Sequence, residues 1–413
     1  MSDRESSESR APDASSGAPG NASRGQGPLA GVTVVEIAGI GPGPFAGMML
    51  ADLGADVICV DRVERVRDQP RQPQHHDLLR RGRRSVAIDL KSAEGAELVL
   101  DLVAKADALI ESNRPGVMER LGLGPEDCLA RNRRLIYARM TGWGQTGPRA
   151  ARAGHDINYI SAAGVLAHIT DAAGRPIPPL NLVGDFGGGG MLLALGITAA
   201  LVEAARSGQG QVLDCAMVDG AALMMTMFWS LRAIGQFDQD APGTGLLDGG
   251  SPFYGVYECA DAKYLAVGAM EPKFFAQLLV LTGLADEFSA EDQYDRRRWP
   301  RLREQLGAVF LTARRDVWAE RAESFDACVT PVLTLSESAA DHHNRARSML
   351  VPAAAGFQPA PAPRYSRTTT AITRPPAHPG EHTREVLRSF GFQEERIAAL
   401  LESGVVRTLK PAS

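Results

Sequence analysis

Two short apolar runs near the start of the chain flank a helical segment, which is the pattern of a β-α-β unit. Residues 32–37 predict a buried strand, and a Gly/Pro turn over residues 39–44 follows it. Residues 45–53 predict a helix, with a proline suited to its first turn, and residues 56–61 predict a second strand. Because strands joined by one helix run parallel, this region predicts an α/β domain with a parallel sheet.

The same alternation continues along the chain and then changes character. Further strands are predicted over residues 85–90, 108–111, 135–140, 211–216 and 264–267, with helices over residues 94–104, 190–206 and 392–401. We expect a disordered tail over residues 1–26, a large Rossmann-like α/β domain over 27–220 that residues of about 375–405 complete, a linker over 221–249, a smaller α+β domain over 250–345 and a Pro-rich return linker over 346–374.

Composition restricts the class of protein. The chain has 413 residues, 44% hydrophobic and 23% charged, with a net charge of −5, which favours neither nucleic acid nor an anionic membrane as a partner. Five cysteines lie far apart, which argues against a disulfide framework or a zinc site and favours the cytoplasm. The longest apolar run, residues 191–202, is too short to span a bilayer, and the N-terminal residues do not have the apolar stretch of a signal peptide.

The first turn resembles a dinucleotide-binding fingerprint only in part. Gly39 and Gly41 fit that pattern, and Asp61 lies at the distance of the acid that binds a ribose. However, Pro44 occupies the third glycine position, and Pro42 removes an amide that would hold pyrophosphate. The turn therefore predicts the closure of a β-α-β unit in preference to a nicotinamide site.

Residues 62–84 are rich in arginine, and we expect most of these side chains to lie in a solvated loop. Arg62 differs, because it follows the predicted carboxyl end of a parallel strand, where ligands of such sheets bind. It is the best candidate in this segment for a contact with a phosphorylated ligand.

Three charged sites suggest acid and base chemistry. The first is the His155-Asp156 pair, and the second is Asp185, followed by glycines at 187–190 that would open a helix and expose N–H groups to an anion. The third is Glu271, at the end of a predicted strand. Structural alternatives remain open at each: a satisfied core histidine, a helix cap at Asp185, glycines that permit tight packing, and a helix N-terminal charge at Glu271.

Taken together, several segments resemble the class III coenzyme A-transferase superfamily and, within it, the α-methylacyl-CoA racemases. The likeness runs from about residue 28 to 405. It is carried by residues 31–36, 41–45, 50–57, 60–62, 88–91, 114–120, 154–159, 179–189, 247–252, 268–272 and 326–331. The histidine-aspartate pair, the Gly184-Asp185-Phe186 loop and Glu271 are specific to the racemase branch, and the loop after Arg62 looks longer and more polar than usual.

The resemblance implies roles for individual residues. His155 and Asp185 would be the two acid/base groups, Glu271 the carboxylate that orients the histidine, and Asp156 a further member of the pocket. The positions that would bind coenzyme A are Arg62, Ile88, Asp89, Leu90, Lys91, Ser112, Asn113, Arg114, Arg120, Gly154 and Tyr159. No metal or other cofactor is implied, because coenzyme A is part of the substrate.

The implied reaction inverts the α-carbon of a 2-methylacyl-CoA thioester, which needs one acid/base group on each face of that carbon. In the S-to-R direction neutral His155 would remove the proton and protonated Asp185 would return one. The enolate oxygen needs a preorganised donor, for which the amides of residues 187–190 or a group near Asp156 are candidates. The alternative is a class III CoA-transferase in which Asp156 forms an acyl intermediate, and a third hypothesis is a silent acyl-CoA-binding protein.

The resemblance also implies an intertwined homodimer, in which Glu271 of one chain meets His155 of the other. The sequence does not define the acyl group: branched fatty acyl chains, bile-acid precursors and arylpropionyl groups all remain open.

Overall fold

A computed structural model describes residues 26–67, 76–171, 173–354 and 356–409. The predicted tail lies outside the described residues except for its last position, as does part of the arginine-rich segment. The described strands are β1 (Thr33–Ile37), β2 (Asp56–Arg62), β3 (Arg83–Ile88), β4 (Ala108–Glu111), β5 (Ile136–Thr141), β6 (Gln211–Ala216), β7 (Tyr254–Glu258), β8 (Tyr264–Gly268), β9 (Val329–Pro331), β10 (Leu350–Ala353), β11 (Gly356–Pro359) and β12 (Val406–Arg407). The described α-helices are α1 (Pro42–Asp52), α2 (Ala93–Val103), α3 (Val117–Arg120), α4 (Pro125–Arg131), α5 (Asp156–Ala162), α6 (Leu192–Ser207), α7 (Met217–Met224), α8 (Thr226–Ala233), α9 (Pro272–Thr282), α10 (Trp299–Phe310), α11 (Arg315–Ala322), α12 (Leu335–Ala340), α13 (His342–Ala346), α14 (Thr383–Ser389) and α15 (Glu394–Glu402).

The large sheet has the order β12-β3-β2-β1-β4-β5-β6. Strands β1 to β6 are parallel, and β12 pairs antiparallel with β3. The order 3-2-1-4-5-6 is that of a doubly wound sheet, so the predicted α/β class is confirmed. Helix α1 begins at Pro42, earlier than predicted, because both prolines of the turn fit its first turn.

The position of the ligand cleft follows from this strand order. The winding direction reverses between β1 and β4, which are neighbours in the sheet but not in sequence. The loops after these two strands therefore leave in opposite directions and open a crevice at their carboxyl ends.

Four arginines at and just before β3 form ion pairs with carboxylates on neighbouring elements. Three of these carboxylates are buried, and that of Asp56 is exposed. The pairs are Arg80–Asp61 at 2.5 Å, Arg81–Asp52 at 2.6 Å, Arg83–Glu36 at 2.6 Å and Arg84–Asp56 at 2.5 Å. Burial raises the pKa of the Glu36 and Asp52 carboxyls, and the paired guanidinium groups oppose that rise. The expectation of a solvated loop is wrong for these four side chains.

A second, smaller hydrophobic core lies around the antiparallel sheet β7-β8-β9. Aliphatic and aromatic side chains both contribute to it, and Phe253, Phe275 and Phe310 are fully buried. Helices α9, α10 and α11 pack apolar side chains against this sheet, and the loops between the elements supply further members. The predicted linker over residues 346–374 contains the hairpin of β10 and β11 in addition to extended chain.

The end of the chain returns to the large sheet. Apolar side chains of α14 and α15, such as Val386 and Ile397, join the core that lies under β1–β5. Val406 of β12 then pairs with Ile88 at the outer edge of β3.

One helix is longer than predicted. A π-helical segment, Leu182–Met191, runs directly into α6, so the helix spans 26 residues. By length and composition alone it could cross a membrane, although 44% of its most apolar window is buried in this fold. A Cβ on Gly188 would lie 2.7 Å from the Ala221 nitrogen, and one on Gly190 would lie 2.7 Å from the Phe45 ring. The glycines thus permit close packing of this helix on α1 and α7, as expected for a core helix.

Candidate functional site

A cleft of about 190 Å³ opens at the carboxyl ends of β1 to β4. Its lining comes from the ends of these strands and the loops that follow them, and every one of the four contributes. The lining residues are Ile37, Ala38, Val60, Arg62, Glu64, Asp89, Leu90, Lys91, Asn113, Val117 and Leu121. Five of the predicted coenzyme-binding residues therefore share one cavity: Arg62, Asp89, Leu90, Lys91 and Asn113.

The other predicted binding residues lie at different depths. Ile88 is fully buried in β3, so its side chain contacts the core and not the cleft. The Ser112 side chain packs against the start of α1, since a Cβ on Gly43 would lie 2.3 Å from its Oγ. That Oγ is buried and has no hydrogen-bond partner among the described residues. Arg114 and Arg120 are exposed beside the cleft.

The loop between β4 and α3 is held by an ion network in which Arg139 and Glu111 are buried and Glu119 is exposed. Arg139 of β5 donates from Nε to Glu111 Oε1 at 3.0 Å and lies 2.9 Å from Glu119 through Nη1. The second Glu111 oxygen accepts the Asn113 N–H at 2.7 Å. Burial raises the pKa of Glu111, and Arg139 opposes the rise. This network ties the end of β4 to α3 across the coenzyme-binding positions.

The Asp156 carboxylate joins the two elements that carry the predicted acid/base groups. Its Oδ1 accepts the Gly184 N–H at 2.6 Å and the Asp185 N–H at 2.7 Å. Those two amides belong to the first turn of the long helix, and His155 immediately precedes α5. Burial raises the Asp156 pKa, and the two N–H bonds oppose the rise. The carboxylate thus fixes the position of His155 relative to Asp185.

The glycines at 187–190 do not have the role predicted for their amides. Because they lie inside the π-helix, their N–H groups are used by carbonyls five residues back. The prediction that they open the helix is wrong, since the helix begins five residues earlier, at Leu182. The amides that have no acceptor within the helix are those of its first turn, at Gly184 and its neighbours. The Asp156 carboxylate accepts two of them, those of Gly184 and Asp185.

The Asp185 side chain, on the first turn of the long helix, lies beside Gly41, which precedes α1 at the switch point of the sheet. A Cβ on Gly41 would contact its Oδ2 at 3.5 Å, and Asn181 donates from Nδ2 to the same oxygen at 3.0 Å. The Phe186 and Phe45 rings pack 4.8 Å apart beside it. Asp185 therefore borders the same crevice as the β1–α1 loop.

The backbone before His155 is packed against aromatic rings. Tyr159 meets Trp143 edge to face at 4.9 Å. A Cβ on Gly154 would lie 2.7 Å from the Tyr159 ring and 3.1 Å from Trp143 Nε1, so no larger residue fits there. Gly154 and Tyr159 thus position the histidine backbone.

Glu271 lies apart from these groups within one chain. It is exposed and directly precedes α9, a helix of the smaller domain. Its backbone carbonyl accepts the N–H groups of Phe274 and Phe275 in the first turn of that helix. In the described part of the chain, no hydrogen bond or ion pair links Glu271 to His155.

The sequence did not reveal several residues that shape the site. Arg139, Glu111 and Trp143 carry no motif, because their role depends on contacts between distant segments. The contact of Asn181 with Asp185 could have been predicted from the sequence, because the two residues lie four positions apart at the start of one helix.

The chain is similar to proteins of known class over most of its length. The model of CoA-transferase family III matches residues 29–383. An α-methylacyl-CoA racemase of Mus musculus is 44% identical over 385 residues, which cover 92% of this chain and 98% of the relative. The Homo sapiens protein of the same name is 41% identical over 387 residues, with the same coverage. A crystal structure of a CAIB/BAIF family protein from Brucella suis superposes with a TM-score of 0.73 at 27% identity, covering 88% of this chain and 99% of that one.

The match of the family model, the doubly wound sheet and the relatives above 40% identity agree with one another. The chain therefore belongs to CoA-transferase family III, on the branch of the α-methylacyl-CoA racemases.

Proposed function

We propose that this chain is an isomerase that racemises 2-methylacyl-CoA thioesters by proton exchange at the α-carbon. The observation that carries the proposal is the Asp156 carboxylate, which holds the amide of Asp185 at 2.7 Å while adjoining His155. This contact joins the start of the helix that follows His155 to the turn that carries Asp185, which supports a shared acid/base site for the two residues. The similarity to racemases over 92% of the chain supports the same reaction.

In this mechanism the cleft binds the coenzyme A portion and the junction holds the α-carbon. Arg62 and Lys91 supply positive charge at the carboxyl ends of β2 and β3 for the phosphates. His155 removes the α-proton from one face, and protonated Asp185 delivers one to the other face. The roles exchange in the reverse direction.

The enolate oxygen needs a donor that is already in place. Since the amides of 187–190 are used within the helix, we assign this role to an N–H at or near Asp156. The Asn158 N–H already donates to the His155 carbonyl at 2.8 Å, so the candidates are the two N–H groups before it, those of Asp156 and Ile157, which have no acceptor within the helix.

We further infer that the active enzyme is a homodimer with interlocked chains. Large apolar side chains that are exposed on α6, α7 and α8 and just after α8 support this: Leu195, Leu223, Trp229 and Ile234. In this dimer the partner's Glu271 would meet His155, as the resemblance to the racemases implies, and its carboxylate would orient the imidazole. Light scattering should then report twice the chain mass.

We also infer a cytoplasmic enzyme that needs no added cofactor. The five cysteines are free, and four of them are buried, which fits a reducing compartment. Racemisation by two side chains requires no redox or metal group.

The decisive experiment incubates one enantiomer of a 2-methylacyl-CoA in deuterated buffer. The purified protein should introduce deuterium at the α-carbon and form the epimer without any second carboxylic acid. His155→Ala should reduce this exchange at least about 100-fold. His343→Ala, which changes an exposed histidine of α13, is the matched control and should exchange at the wild-type rate.

The main alternative is a CoA-transferase with an acyl intermediate on Asp156. It would leave a single acyl-CoA unchanged and react only after a carboxylate acceptor is added. Unaltered exchange in His155→Ala would exclude the proton-transfer assignment itself.

A further inference from the structure

The loop that precedes Glu271 is fixed by a buried glutamine from elsewhere in the chain. Gln293 is fully buried. Its Nε2 donates to two successive carbonyl oxygens, those of Ala269 and Met270, each at 2.9 Å. Both acceptors are carbonyls, which cannot donate, so the amide nitrogen must face them. Its Oε1 points away and is buried without a partner among the described residues.

These bonds hold the backbone in a turn that an isolated loop would not keep. Strand β8 ends at Gly268, and the Met270 N–H donates back to the Gly268 carbonyl at 2.9 Å, which closes a three-residue turn. Tyr294 adds a third bond from its hydroxyl to the Met270 carbonyl at 2.7 Å. Three hydrogen bonds from residues 293 and 294 therefore converge on the two residues directly before Glu271.

Gln293 is itself held firmly. Trp299 donates from Nε1 to the Gln293 backbone carbonyl at 2.8 Å. The Phe253 ring packs edge to face on Tyr294 at 5.6 Å and on Trp299 at 5.8 Å. Phe253 also accepts the Ala269 N–H through its carbonyl at 2.9 Å, so both sides of the turn join one rigid core.

The Glu271 side chain has no such support of its own. In the described residues it makes no side-chain hydrogen bond or ion pair, and it is exposed. Its direction within one chain is therefore set by its backbone, and that backbone is set by the turn before it and by α9 after it.

We propose that Gln293 is a positioning residue for racemisation, which acts by aiming Glu271 at the imidazole of His155. This inference rests on the proposed function, because it requires that Glu271 orients the catalytic histidine. Gln293 touches neither the thioester nor coenzyme A. Its loss should lower kcat and leave KM for the acyl-CoA nearly unchanged, since the cleft lies on the large sheet.

The test measures kcat and KM for α-proton exchange with solvent in a double-mutant cycle. The variants are Gln293→Leu, Glu271→Gln and the combination of both. We expect Gln293→Leu to lower kcat about 10-fold or more with KM within about twofold of wild type. On the Glu271→Gln background the same substitution should change kcat less than about twofold, since the two act through one group.

A matched control separates this effect from general destabilisation. Thr282→Val removes a buried hydroxyl at the far end of α9, which donates to the Leu278 carbonyl at 2.7 Å. It should lower the melting temperature without changing kcat. If Gln293→Leu does not fold, Tyr294→Phe removes only the bond to Met270 from a half-exposed side chain and should lower kcat about 2- to 5-fold, again only when Glu271 is present.

Three results would overturn the proposal. The first is a folded Gln293→Leu, or a Tyr294→Phe where that variant stands in for it, with wild-type kcat. The second is an equal loss of kcat whether residue 271 is the native glutamate or carries the Glu271→Gln substitution, which would mean that Gln293 acts independently of the carboxylate. The third is a wild-type protein without exchange, which would remove the proposed function as well and is thereby distinguishable from the first two.

Discussion

Replacing Asp156 by asparagine distinguishes a positioning role for this carboxylate from a nucleophilic one. The carboxylate accepts two amide N–H groups at 2.6 and 2.7 Å. A hydrogen bond to a charged group contributes about 1.5–3 kcal/mol, and one between neutral groups about 0.5–1.5 kcal/mol. Asparagine can keep its Oδ1 toward both amides, because the Oδ2 that it replaces with nitrogen accepts no bond among the described residues.

The expected loss follows from this difference. Asp156→Asn should weaken the junction by about 2 kcal/mol, which corresponds to roughly a 30-fold lower kcat if all of it affects the presentation of Asp185. Asp156→Ala removes both bonds and should lose about 3–6 kcal/mol, divided between stability and rate. A nucleophile would behave differently, since its removal commonly costs about 10⁴-fold or more even when the shape is kept.

The assay is solvent deuterium exchange into a single acyl-CoA, with thermal unfolding of each variant measured in parallel. Exchange in Asp156→Asn within about 100-fold of wild type supports the positioning role. A fall of about 10⁴-fold in a folded Asp156→Asn, or an acyl group trapped on this residue in the wild-type protein, would refute the reasoning.

Two further changes test features outside the acid/base pair. Arg139→Met should raise KM for the acyl-CoA about 10-fold with little change in kcat, because Arg139 joins Glu111 to Glu119 and so positions the coenzyme-binding loop. Calorimetry with free coenzyme A checks this, and an unchanged affinity would contradict it. Burial lowers the pKa of His382, whose Nδ1 accepts the Ser85 N–H at 3.2 Å. The neutral imidazole therefore stabilises the fold at pH values above the ordinary histidine pKa of 6.5, and this stabilisation is lost as the pH falls below that value. His382→Asn should therefore show a weaker decline of unfolding free energy from pH 7 to 5 than wild type, and parallel curves for the two proteins would contradict the assignment.

Local patterns predicted the parts of the fold that depend on neighbouring residues. The strands β1 and β2 and the helix between them follow from apolar runs and two prolines, and the doubly wound sheet follows from their repetition. The ligand edge was also predictable, because Arg62 lies at the carboxyl end of a parallel strand and does line the cleft.

Contacts between distant segments were not predictable in the same way. Arg83 looks like a solvated arginine in its sequence context, yet its partner Glu36 lies 47 residues away on β1 and both are buried. The glycines at 187–190 suggested a helix start, whereas their real constraint is the close approach of α1 and α7. The turn before Glu271 likewise depends on Gln293, more than twenty residues farther along the chain.

The antiparallel strand β12 has a consequence for how the protein is made. During synthesis the edge of β3 and the underlying core remain uncovered until residues 383–407 leave the ribosome, long after the small core around β7-β8-β9 is complete. A nascent chain held at residue 375 would expose an unpaired strand with apolar neighbours, the kind of edge to which other chains add. Premature termination late in the gene should therefore yield aggregates in preference to a shortened soluble enzyme.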